Sequence, residues 1–273
     1  RKDREAVKKT VHTSVLVALI GGILVAAFGE AVAQPLLGIL GGLGPMSSAY
    51  FYELITAHTK ASRDQDHIDI ILSSNASTPD RTAYIMKQST ESPLPYMVAD
   101  AKRLEIYGAD AIVIPCNTAH YFLDEVRASV SVPVPSIIEE TSMYLKKANV
   151  KKAGIMATEG TVSSLSYQKK LDAVGLECAV PDEKYQRYLH EIIYDDVKSG
   201  AEPDLDKFYA VAEHLAAKSC DRMILGCTEL SLIKRIIGND ERFTDSLEVL
   251  AHKAIRLCNK ETVGFSPEFD LMD

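Results

Sequence analysis

Apolar and polar positions alternate at two different periods along this chain, and the two kinds of stretch take turns. Short, nearly continuous apolar runs occur at 36–40, 67–73, 111–115, 153–157 and 222–225. Their length and β-branched content predict buried strands. Between them lie longer stretches with apolar residues three or four apart, at 46–60, 96–107, 121–130, 163–174, 185–198, 204–218, 231–237 and 247–260. That spacing predicts amphipathic helices. The turns carry their own signals: Gly41 to Pro45 reads GGLGP, the 75–81 loop holds Pro79, and two prolines break 131–135. Strands alternating with helices indicate βαβ units, hence an α/β fold built on parallel sheet.

The pattern also repeats itself. Ala101-KRLEIYGADAIVIP-Cys116 matches Ala212-EHLAAKSCDRMILG-Cys227, with Leu104/Leu215 and Asp110/Asp221 in register. The opening Gly38-ILGGLG-Pro45 matches Gly154-IMATEG-Thr161 in the same order. Two ordered matches predict an internal duplication: two similar Rossmann-like lobes, with 34–134 plus 243–273 forming the first and 135–242 the second. In open α/β sheets ligands sit beyond the carboxyl ends of the strands. Both cysteines and both opening turns fall there, so the expected site is one cleft between the lobes with two opposed thiols.

Composition narrows the partners. The net charge of −8, with no basic stripe, argues against nucleic acid. Five cysteines without a CxxC pair fit neither a disulfide framework nor a zinc site, and Cys178, Cys220 and Cys258 read as inert buried thiols. The first 33 residues stand apart: a basic start, an apolar run over 15–28 and an Ala31-Val32-Ala33 ending match a secretory signal peptide cleaved after Ala33. The run is short for a membrane span, so an uncleaved anchor is the lesser alternative, and a cytoplasmic protein with an N-terminal extension is another. Periplasmic export would expose free thiols to oxidation.

Several motifs bear on chemistry. PCNTAH puts Cys116, Asn117 and Thr118 at a strand-to-helix junction, and GCTEL does the same for Cys227 and Thr228. Helix starts favour anions, so each junction suits a thiolate or a substrate carboxylate. Gly41 to Pro45 lacks the GK[ST] of a phosphate loop and reads as a tight turn beside a small ligand. His120 and His190 read as structural side chains that could assist proton transfer. No His/Cys/Asp cluster has metal spacing.

GILGGLGP, PCNTAH, GCTEL and the two-lobe repeat together resemble the aspartate/glutamate racemase family, and within it the aspartate racemases, from about residue 36 to residue 256. The resemblance implies racemisation without pyridoxal phosphate or other cofactor, with Cys116 and Cys227 as paired acid and base. It implies that Arg81, from the loop NASTPDR, and Lys198, from IIYDDVKSG, bind substrate carboxylates, with Thr161 lining the pocket. Glu229 stands where glutamate racemases tend to carry histidine, which favours aspartate. A homodimer is implied as well. On the residues alone, Arg81 also reads as a surface ion pair and Lys198 as a helix-end lysine. Glutamate racemase, hydantoin racemase and maleate isomerase are alternatives within the superfamily. An exported two-lobe binding protein for acidic amino acids is the alternative of another class, although it would not need two equivalent cysteines.

Overall fold

The computed structural model describes residues 34–272, together with Val15. The proposed signal peptide or anchor at 1–33 lies otherwise outside the described residues. Among the described residues no helix is long and apolar enough to cross a membrane.

Two parallel sheets carry the fold. The first contains β1 (Leu36–Gly41), β2 (Asp69–Ser74) and β3 (Ala111–Val113), in the order β2-β1-β3. The second contains β4 (Lys152–Met156), β5 (Glu177–Ala179), β6 (Arg222–Leu225) and β7 (Phe243–Asp245), in the order β5-β4-β6-β7. The opening strand of each lobe is therefore central, and the strand leading to each cysteine lies beside it. The helices are α1 (Pro45–His58), α2 (Arg81–Ile85), α3 (Leu94–Ile106), α4 (Leu123–Ala128), α5 (Ile137–Lys147), α6 (Glu159–Ser163), α7 (Ser166–Ala173), α8 (Glu183–His190), α9 (Leu205–Ala217), α10 (Thr228–Ile237) and α11 (Ser246–Leu257).

The period of two in the strands sorts side chains into three cores. Leu37 and Ile39 of β1, Ala153 and Ile155 of β4, and Ile224 of β6 join one core with residues of α1, α5 and α11. That core is continuous between the two lobes. Leu40 and Ile112 point to the opposite face, against Met97, Ala101 and Leu104 of α3. Met156, Met223 and Leu225 do the same in the second lobe, against Phe208, Val211 and Leu215 of α9. Each lobe thus has a private outer core and a share in the inner one.

The duplication extends to individual contacts. Asp110 accepts the Leu36 N–H at 2.7 Å, and Asp221 accepts those of Lys151 and Lys152 at 2.7 and 3.0 Å. Each aspartate ties the start of its lobe's central strand. A Cβ on Gly38 would lie 3.3 Å from Leu104 Cβ, and one on Gly154 3.0 Å from Leu215 Cβ. The matched glycine and leucine therefore set how closely helix meets sheet in both halves.

Several details depart from the sequence reading. The 163–174 helix is split into α6 and α7 by Leu165, whose φ of 58° breaks it. The 185–198 helix changes at Glu191 into a π-helical stretch, Glu191–Val197, and the 121–130 helix begins with a 3-10 turn, Thr118–Phe122. Strands β5 and β7 and helices α2 and α5 are additional. Strand β7 pairs with β6, so 243–245 belong to the second sheet, and the return toward the first lobe begins with α11, which packs against both α5 and α1.

Candidate active site

The two cysteines lie just past equivalent strands and line one small, tight cavity of about 10 Å³. Arg81, Asn117, Thr118, Lys198 and Thr228 share its wall, together with Asp80, Thr158, Tyr194 and Glu229. Thr161 is placed one layer behind, fully buried. An open groove of about 370 Å³ lies against the cavity and shares Asp80, Arg81, Lys198 and Glu229 with it. A larger surface groove between α1, β7 and the C-terminal segment carries neither cysteine.

Cys116 is held through its own backbone. Its carbonyl faces His120 Nδ1 at 2.8 Å, and the Ile137 N–H donates to His120 Nε2 at 3.1 Å. Accepting at Nε2 leaves Nδ1 as the protonated nitrogen, which donates to Cys116. Burial lowers the His120 pKa to about 4. This histidine is therefore a neutral strut between the Cys116 turn and the start of α5. It does not line the cavity.

The next two residues tie the lobes together. Tyr167 OH donates to Asn117 Oδ1 at 2.6 Å, and Asn117 Nδ2 donates to Ser246 Oγ at 3.0 Å. Ser246 in turn donates to the Leu225 carbonyl at 2.7 Å. The Asn117 amide is thus engaged in scaffolding on both ends. Thr118 Oγ1 lies 2.9 Å from Thr158 Oγ1 and 3.0 Å from Thr161 Oγ1. Those three hydroxyls form a triangle across the seam, with Thr158 also capping α6 at the Thr161 N–H.

Cys227 occupies the N-cap position of α10. Its thiol donates to Glu229 Oε2 at 2.9 Å. Burial pushes its pKa well up, and the Glu229 charge adds to this, against a lowering contribution from Lys198. Lys198 Nζ stands 3.9 Å from Glu229 Oε1 and 4.3 Å from the centre of the Tyr194 ring. Burial works to lower the Lys198 pKa, but the surrounding Glu229 and cysteine charges outweigh it and the net shift is upward. The π-helical stretch presents Tyr194 and ends at Lys198; such wide turns recur at functional sites.

Arg81 opens α2, whose N-cap Asp80 accepts the Ala83 N–H at 2.7 Å. The guanidinium is buried. Its Nη1 donates to the Thr78 and Pro79 carbonyls at 3.3 and 3.1 Å, and Nη2 donates to Leu43 at 2.7 Å. Its Nε has no partner among the described residues. An unpartnered buried donor on a charged group is costly, and here it belongs to a side chain in the cavity wall.

In the sequence Glu229 reads only as a marker of one branch, and neither Thr158 nor Tyr194 stands out. Thr158 had a signal, since a threonine before the α6 start is a capping position. Tyr194 had none, because helical periodicity does not foresee a π-turn.

The geometry therefore defines a two-lobed α/β enzyme fold with a sequestered, charged cavity at the strand ends. A family model described as Asp/Glu/hydantoin racemase matches residues 40–254, and the chain belongs to that family. It is similar to an aspartate racemase of Picrophilus torridus, with 30% identity, a TM-score of 0.73, and coverage of 88% of this chain and 99% of that one. It is also similar to an aspartate racemase homologue from Pyrococcus horikoshii OT3, with 26% identity, a TM-score of 0.67, and coverage of 83% and 100%. Among curated proteins, the broad specificity amino-acid racemase RacX of Bacillus subtilis is 28% identical over 81% of this chain and 96% of its own length.

Proposed function

We propose that this racemase interconverts L- and D-aspartate by proton transfer between two cysteines, without a cofactor. The observation that carries the reading is the meeting of Cys116 and Cys227, from equivalent positions of the repeat, in one cavity. One sulfur, as thiolate, removes the α-proton; the other, as thiol, protonates the opposite face. Cys227 is the resting thiol, since burial and Glu229 favour its protonated form, and Cys116 is the base when the reaction starts from that state. The reverse direction exchanges the roles.

Two cations, the buried Arg81 and the part-exposed Lys198, suit a dicarboxylic amino acid. The free Nε–H of Arg81 supplies a donor for the distal carboxylate, and Lys198 supplies charge for a carboxylate at the cavity mouth. Backbone N–H groups at the start of α10 and at the Asn117–Thr118 turn stabilise the α-carboxylate as charge builds on it. The tight cavity excludes water and strengthens each of these contacts.

The test is a chiral assay with aspartate, glutamate and alanine in heavy water, without added cofactor. The expected result is deuterium at Cα of aspartate and racemisation that falls about 10²–10⁴-fold in Cys116→Ala and in Cys227→Ala. Wild-type rates in either variant would refute the two-cysteine mechanism; glutamate or alanine turnover in place of aspartate would refute the substrate. A homodimer is part of the same reading, checked by light scattering.

A further inference from the structure

We propose that Glu229 is the receptor for the substrate's ammonium group, and that Lys198 and Cys227 occupy it until the substrate arrives. The inference rests on the racemase reading and adds to it how an amino acid is told from a plain dicarboxylate.

Glu229 is a buried carboxylate, 5% exposed, with weak company. Oε2 accepts from the Cys227 thiol, a poor donor. Oε1 faces Lys198 across 3.9 Å, well beyond the ~2.8 Å of a closed ammonium–carboxylate hydrogen bond. Buried charges ordinarily carry strong partners, and this one is under-bonded. Gly44 packs directly against it, and a Cβ there would stand 2.5 Å from Glu229 Oε1. Gly44 has extended backbone, φ −176°, so its lack of a side chain answers to the carboxylate and not to backbone conformation.

Position and charge fit an ammonium. A substrate nitrogen about 2.8 Å from a Glu229 oxygen puts Cα a further ~1.5 Å along the N–Cα bond. The Cys227 sulfur lies 2.9 Å from that same carboxylate, so the reacting carbon comes within reach of it. The cavity wall then matches a dicarboxylic amino acid group for group: Arg81 and Lys198 for two carboxylates, Glu229 for the ammonium. When the ammonium takes Glu229, Lys198 is released to a carboxylate, and the thiol loses its acceptor and can turn toward Cα. Glu229 also keeps the amino group protonated, which makes the α-carbon more acidic.

The experiment compares KM and kcat for L-aspartate with the inhibition constant of succinate, which has both carboxylates and no amine. In Glu229→Gln, kcat/KM for aspartate is expected to fall at least about 30-fold with a raised KM, as for loss of one partner of a buried charge pair, while succinate binds as well as to wild type or better. Gly44→Ala, which pushes the carboxylate aside, is expected to shift the same ratio in the same direction. Aspartate KM within threefold of wild type in Glu229→Gln, or succinate binding that weakens in step with aspartate in both variants, would overturn the proposal. Should wild type not turn over aspartate, the substrate reading fails separately, and the comparison is made with the amino acid it does racemise and that acid's amine-free counterpart.

Discussion

Gly160→Ala separates catalysis from stability. Gly160 lies in the first turn of α6, and a Cβ there would stand 2.9 Å from Thr82 Cα, 2.9 Å from Thr82 Oγ1 and 3.2 Å from Thr118 Cγ2. Thr82 follows Arg81 and Thr118 follows Asn117, so the added methyl enters the seam between the lobes. Two effects oppose each other. Alanine favours the helix over glycine by about 1 kcal/mol, whereas overpacking costs about 1–3 kcal/mol. Thr82 Cα is backbone, and the neighbouring Arg81 anchors it to three carbonyls, so that side of the seam gives little. The methyl should therefore be accommodated by a small local shift at the seam beside Thr118. The closed, active arrangement then bears the ~1–3 kcal/mol while the second lobe keeps its helix gain. At about 1.4 kcal/mol per factor of ten, kcat/KM falls roughly 5- to 150-fold, with the melting temperature unchanged to within about 2 °C. Racemase kinetics and calorimetry on the same preparation provide the assay. A kcat/KM within twofold of wild type would refute the seam argument, and so would a loss of activity matched by an equal loss of stability.

Tyr167→Phe keeps the ring and removes the donor to Asn117 Oδ1; an unsatisfied buried acceptor costs about 1–3 kcal/mol, read as a lower urea midpoint with unchanged slope, along with slower turnover as the Cys116 turn loosens. The His120 pKa is depressed to about 4, so the stability of its neutral form is complete above about pH 6.5 and is lost as pH falls through about 4, roughly 3 kcal/mol in all. Urea titrations between pH 4 and 7 should show a shallower pH dependence in His120→Gln. Asp245 behaves oppositely: burial, followed by the Glu248 charge, raises its pKa to about 6, so its contribution is complete below about pH 3.8 and fades as pH rises through 6. Asp245→Asn retains the Oδ1 that accepts from Ser231 and Leu247, and its stability relative to wild type should increase between pH 5 and pH 8; a flat difference would contradict this sign.

Local periodicity carried most of the fold. β1, β6, α9 and both cysteine junctions follow from apolar spacing and turn residues, and the repeat was legible because the same contacts constrain both lobes: Gly38 with Leu104, Gly154 with Leu215, and an aspartate tying each central strand. What escaped depends on tertiary context. Strands β5 and β7 have three residues each, too short for a period of two to register. The split at Leu165 needs a left-handed residue that no glycine announces. The change to π-helix at Glu191 leaves the apolar pattern of 185–198 intact, so sequence spacing reads it as ordinary helix. Arg81 and Lys198 were legible only through resemblance, since a lone basic residue in a loop or at a helix end looks the same whether it faces solvent or a cavity.

The repeat also suggests an equivalence that the structure does not keep. Two residues beyond Cys116 stands Thr118; two beyond Cys227 stands Glu229. Thr118 turns to the hydroxyls of Thr158 and Thr161 and helps close the seam. Glu229 turns back to its own cysteine and toward Lys198. Duplication thus supplies two sulfurs at matching strand ends, and one divergent position divides the work: a neutral residue joins the lobes on one side, and a charged one adds to burial in favouring the thiol on the other. In the proposed two-base reaction each monoprotonated form serves one direction, and this difference biases which sulfur carries the proton at rest. Glu229→Thr, which makes the second junction resemble the first, should therefore weaken the preference for Cys227 as the resting thiol, while burial, the larger cause, remains. Alkylation of Cys227 should then set in at lower pH than in the wild-type protein, where it should stay slow until well into the alkaline range.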